Sequence, residues 1–126
     1  MKEIMAVIRM NMINRTKKAL TEAGVSSITA SEALGRGAGL VDIKLLKGAE
    51  QGYEEAISQL GQSNRLIPKR VLIIVAKDKY VDQIVKTIIT INQTGKPGDG
   101  KIFVLPCHES LSVRTGENGE DTLDDI

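Results

Sequence analysis

The sequence predicts an α+β fold of ferredoxin-like order, β-α-β-β-α-β, with a long loop between its two halves. Three observations lead there. Unbroken apolar runs of strand length fall at Ile4–Ile8, Val71–Ala76 and Ile102–Leu105. Two other stretches, beginning at Ile13 and at Val81, carry apolar residues at helical spacing instead. Between the halves lies Gly35–Arg65, about thirty residues, twice the length at which a structureless connection becomes unusual in a compact domain.

Each element has its own reason. Ile4–Ile8 is short, continuous and apolar, as a strand buried on both faces must be. Ile13, Ala19, Leu20 and Ala23 then share one helical face, while Arg15, Lys17, Lys18 and Glu22 face away. Gly24 stands where a helix C-terminal cap belongs. Val25–Leu34 alternates loosely and is expected as the second strand. Val71–Ala76, opened by Lys69-Arg70, is the third, and Asp78 is placed to cap the helix that follows. In that helix Val81, Ile84, Val85, Ile88 and Ile91 form one apolar face. Ile102–Leu105 is the fourth strand. Inside the long loop, Tyr53, Ala56, Ile57 and Leu60 permit a helix of about two turns, marginal in isolation.

Two helices can cover only one face of a four-stranded sheet. The other face, rich in Ile and Val, is larger than the apolar patches monomers usually expose, so self-association through it is expected.

At 126 residues the chain is expected to be a single domain, 1–126, ending in an acidic tail, 117–126. Seventeen basic against sixteen acidic residues give a net charge of +1, so no bulk field draws it to nucleic acid or anionic lipid. The RNA-recognition module shares this element order but stacks bases on aromatics in its central strands, where this chain offers only Phe103. One cysteine, Cys107, excludes an internal disulfide framework, and the apolar run after Met1 is too short for a signal-peptide core or a membrane span. A cytoplasmic protein with no stable membrane insertion is expected. Glu120, Asp121, Asp124 and Asp125 in the tail lack the glycine turn and spacing of a cation loop, so they are expected to be a solvated terminus and no metal site is assigned.

The most informative stretch is Thr94–Phe103, "TGKPGDGKIF". Gly95 to Lys101 fits the G-x-x-x-x-G-K spacing of a phosphate-binding loop. Glycines let backbone N–H groups converge on an anion, and Lys101 adds a mobile charge. A hydrolase of the Walker type would need a strand before the loop, a helix after it and a hydroxyl beside the lysine. Here a helix precedes, a strand follows, and the next residue is Ile102. The bland alternative is a glycine-rich helix-to-strand connection. A second basic turn, Val113–Glu117 with Arg114, tips the balance toward phosphate binding. Apart from Tyr, Lys and carboxylates, the nucleophile or base candidates of a phosphate-binding enzyme are His108 and Cys107. Neighbours on a strand point to opposite faces, so they form no evident dyad, and no catalytic residue is assigned.

"TGKPGDGKIFVLP" and "VRTGENGED" closely resemble the two signatures of the PII signal-transduction family, and "KEIMAVIR", "KALTEAGVSSIT", "KGAE" and "LIPKRVLIIV" extend the likeness over nearly the whole chain. The resemblance implies a trimeric, non-enzymatic sensor that binds ATP or ADP in clefts between subunits, with 2-oxoglutarate beside the Mg²⁺–ATP. It implies that Gly98, Asp99, Gly100 and Lys101 hold phosphates with help from Arg114, and that Thr29, Gly35 and Val75 line the nucleotide pocket of the same or the adjacent subunit. Lys69 matches the lysine that meets the oxoglutarate carboxylate.

Three departures stand out. Ser112 replaces a second phosphate arginine. The family's G-F-G-R-Q-K-G is shortened to Leu34-Gly35-Arg36-Gly37-Ala38, leaving Arg36, between Gly35 and Gly37, as the phosphate arginine and no counterpart of the glutamine at the magnesium–oxoglutarate site. Gln51 stands where some relatives carry a modified tyrosine. The segments "KGAE", "EEAISQLG" and "RLIPKR" are similar to the nitrogenase-associated PII-like branch. That likeness implies a homotrimer or a hetero-oligomer with a paralogue, with the dinitrogenase component of nitrogenase as target of the loop 35–65. A regulator of an ammonium transporter is the alternative.

Overall fold

A computed structural model of the chain describes residues 1–37 and 65–126. The helix expected around Tyr53–Leu60, and most of the long loop, lie outside the described residues.

The first strand, β1 (Lys2–Arg9), sets the plan. Successive side chains of a strand point to opposite faces, and here Ile4, Ala6 and Ile8 are buried while Glu3, Met5 and Val7 are only half-buried. A 3-10 turn, Met10–Met12, leads into α1 (Ile13–Glu22). The helix ends in a Schellman arrangement: Gly24, at φ +95°, lets the Val25 amide return to the Leu20 carbonyl (2.9 Å) and its own to that of Thr21 (3.0 Å). The strands β2 (Thr29–Gly35), β3 (Ile67–Ala76) and β4 (Gly100–Pro106) and the helix α2 (Val81–Asn92) complete the fold. The sheet order is β2-β3-β1-β4, antiparallel throughout, as the ferredoxin-like arrangement requires.

Both helices lie on one face. Leu20, Val25, Ile84 and Ile88 close over Ile4, Ala6, Ile8, Leu72, Ile74 and Ala76 to make the core. Among the described residues no helix covers the opposite face. By register it carries Met5 and Val7, Val71, Ile73 and Val75, and Phe103 and Leu105, the last two 48% and 38% exposed.

Four details differ from the sequence reading. Strand β2 begins at Thr29 rather than Val25, because Val25 is consumed by the helix cap and the Ser26 and Ser27 amides bind Asp124. The buried face of α1 is built on Thr16 and Leu20; Thr16, a polar residue, is wholly buried because its hydroxyl donates to the Met12 carbonyl (2.7 Å) and accepts from Asn92 Nδ2 (3.0 Å). Asp78 opens a 3-10 turn without a side-chain cap bond, and its carboxylate instead meets the Met1 ammonium at 3.1 Å. Finally, the acidic tail is docked rather than solvated. Asp124 accepts from both serine amides (2.9 and 2.8 Å), Asp125 from Tyr80 (2.7 Å), and Ile126 packs against the core beside Gly24.

Candidate functional site

The uncovered face ends in a cluster of cations. Lys69 (β3) and Arg9 (β1) are directly opposite one another, and both side chains leave on the uncovered face. Ala33 and Gly35 of β2 leave room beside Lys69: a β-carbon on Gly35 would lie 4.0 Å from the Lys69 Cγ. Lys69 is only 8% exposed and donates from Nζ to the Gly98 carbonyl at 3.2 Å. Arg9 spans 90 residues of sequence to ion-pair with Asp99 at 2.6 Å and donates to the Pro97 carbonyl at 3.1 Å.

Asp99 organises the loop from within. Its carboxylate accepts from the Thr94 amide (2.7 Å), the Gly95 amide (3.0 Å), the Thr94 hydroxyl and Arg9. The Thr94 hydroxyl and amide, followed by Arg9 and the Gly95 amide, hold this carboxyl well below the usual carboxylate range. Its side chain is therefore committed to the loop, and only its backbone is left to face a ligand. Gly100, the loop's last residue, pairs with Ile8 and sits at φ +118° so close to β1 that a β-carbon would come within 2.0 Å of the Val7 carbonyl oxygen. Lys101 is exposed and opposite Val7 on the uncovered face. On the helix side, Asp99, Gly100 and Lys101 close one end of a cavity of about 390 Å³ between α2 and β4, walled mainly by Ile8, Val85 and Ile88.

Of the residues expected at the site, the structure brings together Gly35, Lys69, Gly98, Asp99 and Gly100, with Lys101 next along β4 and Arg36 and Gly37 following Gly35. It does not bring Thr29, Val75 and Arg114 to them. Val75 lies six residues along β3 from Lys69, roughly 20 Å at strand spacing. Thr29 is opposite Ile73 on the same remote end. Arg114 is exposed at the tip of a hairpin closed by the Leu111–Asn118 bridge and rooted where the Cys107 amide meets the Met1 carbonyl (3.2 Å), again at that end.

Sequence reasoning missed Arg9. Its only signal is a cation ending an apolar strand, and the register that sets it against Lys69 is a tertiary fact. Cys107 and His108 show no dyad: the thiol contacts the Glu109 carbonyl (3.5 Å), and His108 is exposed. Among the described residues no cluster of three or more His, Cys, Asp and Glu side chains could hold a metal ion, and no helix is long and apolar enough to cross a membrane.

Residues 1–117 match the family model described as Nitrogen regulatory protein P-II. Among curated proteins, the chain is 42% identical to the nitrogen fixation nifHD region GlnB-like protein 2 of Methanobacterium ivanovii, over 98% of this chain and 99% of that one. It is 35% identical to the nitrogen regulatory protein P-II of Haemophilus influenzae, over 98% of this chain and 100% of that one. Among solved structures, that of Arabidopsis thaliana PII bound to citrate superposes with a TM-score of 0.70 at 29% identity, covering 95% of this chain and 86% of that one.

Proposed function

This chain belongs to the nitrogen regulatory protein P-II family, and from that premise we propose that it is a non-enzymatic sensor of adenine nucleotide and 2-oxoglutarate whose loop 35–65 controls nitrogenase by direct contact. One observation carries the reading. The expected ligand residues on the sheet fall at opposite ends of one apolar face, a cationic glycine-loop group and a Thr29–Val75 pair, and the hairpin that carries Arg114 is rooted at the latter end. Among the described residues neither is a complete pocket. A second copy packed against that face, with its remote end beside the first copy's loop, joins them, and a closed ring of three satisfies every copy.

The residues present suit an anionic ligand. Lys69 and Lys101 supply charge, and Gly98 and Gly100 keep the backbone bare. Magnesium bound with ATP would neutralise phosphate charge, and it would be carried chiefly by the phosphates, since the Asp99 carboxylate is already committed. Thr29 and Val75 of the neighbouring copy line the nucleoside end, and Arg114 reaches to the phosphates. Lys69 exchanges the neutral Gly98 carbonyl for an oxoglutarate carboxylate, a charge-assisted partner. That exchange frees part of the glycine loop, and a ligand that interacts differently with two states of the protein alters its affinity for a target. The nitrogenase assignment is supported by the nifHD-region names of relatives at 42% identity.

Calorimetric titration with Mg²⁺–ATP, with and without 2-oxoglutarate, tests this alongside nucleotide turnover and the assembly's mass. Stoichiometric binding by a trimeric assembly, tightened by 2-oxoglutarate and without turnover, is expected. A monomer, or a protein that binds no nucleotide, would overturn the reading.

A further inference from the structure

Arg9 lies outside the residues matched to any ligand, yet it ion-pairs with Asp99 of the glycine loop at 2.6 Å. We propose that Arg9 is the positioning residue of that loop: from the end of β1 it neutralises Asp99 and clamps Pro97, so that the loop's backbone and Lys101 meet a polyphosphate already arranged. The proposal rests on the phosphate-binding reading above.

The physical case begins with Asp99. A carboxylate inside an anion cradle is an electrostatic liability, because it repels the ligand at short range where solvent screens least. This loop nevertheless depends on it, since Asp99 is what gathers the Thr94 and Gly95 amides and the Thr94 hydroxyl. Arg9 resolves the conflict by balancing the charge without displacing those bonds. Its second terminal nitrogen meanwhile holds the Pro97 carbonyl, and a β-carbon on Gly98 would lie 3.3 Å from it, so the guanidinium is laid along the loop backbone itself.

A planar fork serves two acceptors in fixed directions, which a lysine ammonium, a single mobile charge, does less well. The neighbouring cation takes the next carbonyl along: Lys69 holds Gly98. Consecutive loop carbonyls are thus turned toward β1 and β3, which directs that stretch of the loop by its other side toward the open end of the face. Arg9 acts through Asp99 and Pro97 rather than by touching the ligand.

The test uses the full chain as Arg9→Gln and Arg9→Lys variants. Amide exchange at Thr94 and Gly95 in the ligand-free protein reads the loop, and Mg²⁺–ATP titration reads the consequence. In Arg9→Gln, exchange at these two amides should rise about tenfold or more while that of Leu72 and Ile88 in the core stays unchanged, and Mg²⁺–ATP affinity should fall about tenfold or more. Arg9→Lys, which keeps the charge but loses the fork, should lie between Arg9→Gln and wild type on both readouts. Wild-type exchange in Arg9→Gln overturns the proposal, as does a uniform rise across the core, which marks general destabilisation. If the wild-type protein binds no Mg²⁺–ATP, the nucleotide reading falls separately. The exchange pattern then still decides whether Arg9 orders the loop.

Discussion

Arg9 and Lys69 are register partners on neighbouring antiparallel strands, and they end on consecutive carbonyls of one loop, Pro97 at 3.1 Å and Gly98 at 3.2 Å. Like charges directly opposite in a sheet ordinarily destabilise it. Here the Asp99 carboxylate and the two carbonyl dipoles offset that repulsion. The two cations differ in what holds them. Arg9 has an ionised partner at 2.6 Å, whereas the described bond of Lys69 is to a neutral carbonyl, so Lys69 is the one a negatively charged ligand can recruit.

Lys69→Gln should therefore weaken 2-oxoglutarate binding in the presence of Mg²⁺–ATP by about tenfold or more, the worth of one charge-assisted hydrogen bond. Nucleotide affinity alone should change only a few-fold, since Lys101 and the glycine backbone remain, and fold stability should fall by roughly 1 kcal/mol. Calorimetry of both ligands separates these effects. An unchanged oxoglutarate affinity would remove Lys69 from the effector site.

Gly100→Ala attacks the loop through the backbone. A side chain at φ +118° is strained wherever it occurs, and this one would collide at 2.0 Å with the Val7 carbonyl, part of the interior strand β1. A loss on the order of 3 kcal/mol is expected. It should show in urea unfolding as a lower midpoint with an unchanged slope, because the surface exposed on unfolding stays the same. A wild-type midpoint would mean that the first residues of β4 can detach from β1 without cost.

The elements legible in the sequence were those whose signal is local. Val81, Ile84, Val85 and Ile88 repeat at helical spacing, and Val71–Ala76 is apolar without interruption, so periodicity alone placed α2 and the body of β3. Signals that depend on a partner were misread. Val25–Ile28 alternates as a strand would, but its hydrogen bonds go to a helix end and to Asp124, nearly a hundred residues away. Acidic residues near a chain end resemble a solvated tail until Ser26, Ser27, Tyr80 and Lys77 are seen waiting for them. Within the candidate site, glycine spacing and Lys101 could be read directly, whereas Arg9 required the β1–β3 register.

The tail and the glycine loop together set the response to acid. Asp99, Asp124 and Asp125 all have lowered carboxyl pKa values. For Asp124, burial pushes upward but the Ser27 and Ser26 amides and hydroxyls outweigh it; for Asp125 the Tyr80 hydroxyl leads, followed by Lys77. A depressed folded-state pKa contributes stability that is fully present above the unfolded value, about 3.9 for Asp, and is lost as pH falls toward the lower folded one. Stability owed to these groups should hold from neutrality to about pH 5 and decline below about pH 4. Asp124→Asn should flatten that acid limb in thermal unfolding followed against pH, and Asp99→Asn should flatten it further. Acid limbs as steep as that of the wild type would show that neither carboxylate is held more tightly in the folded chain.

The pairing of the two helices offers the sharpest test of what holds the core together. Asn92, 5% exposed, donates to the Thr16 hydroxyl (3.0 Å) and the Ile88 carbonyl (2.9 Å), but its Oδ1 has no hydrogen-bond partner among the described residues. A buried pair of this kind costs more when half of it is removed than when all of it is. Asn92→Leu alone leaves the Thr16 hydroxyl with one fewer bond, and Thr16→Val alone leaves the Asn92 amide short of an acceptor. Each should destabilise the protein by about 1–3 kcal/mol. The double variant replaces both with apolar groups of similar volume and relieves the unpaired Oδ1 as well, so its loss should be well below the sum of the two. A double-mutant cycle in urea measures the difference directly. Strictly additive losses would show that α1 and α2 are joined by shape alone, and that the hydrogen bond between them contributes nothing to their coupling.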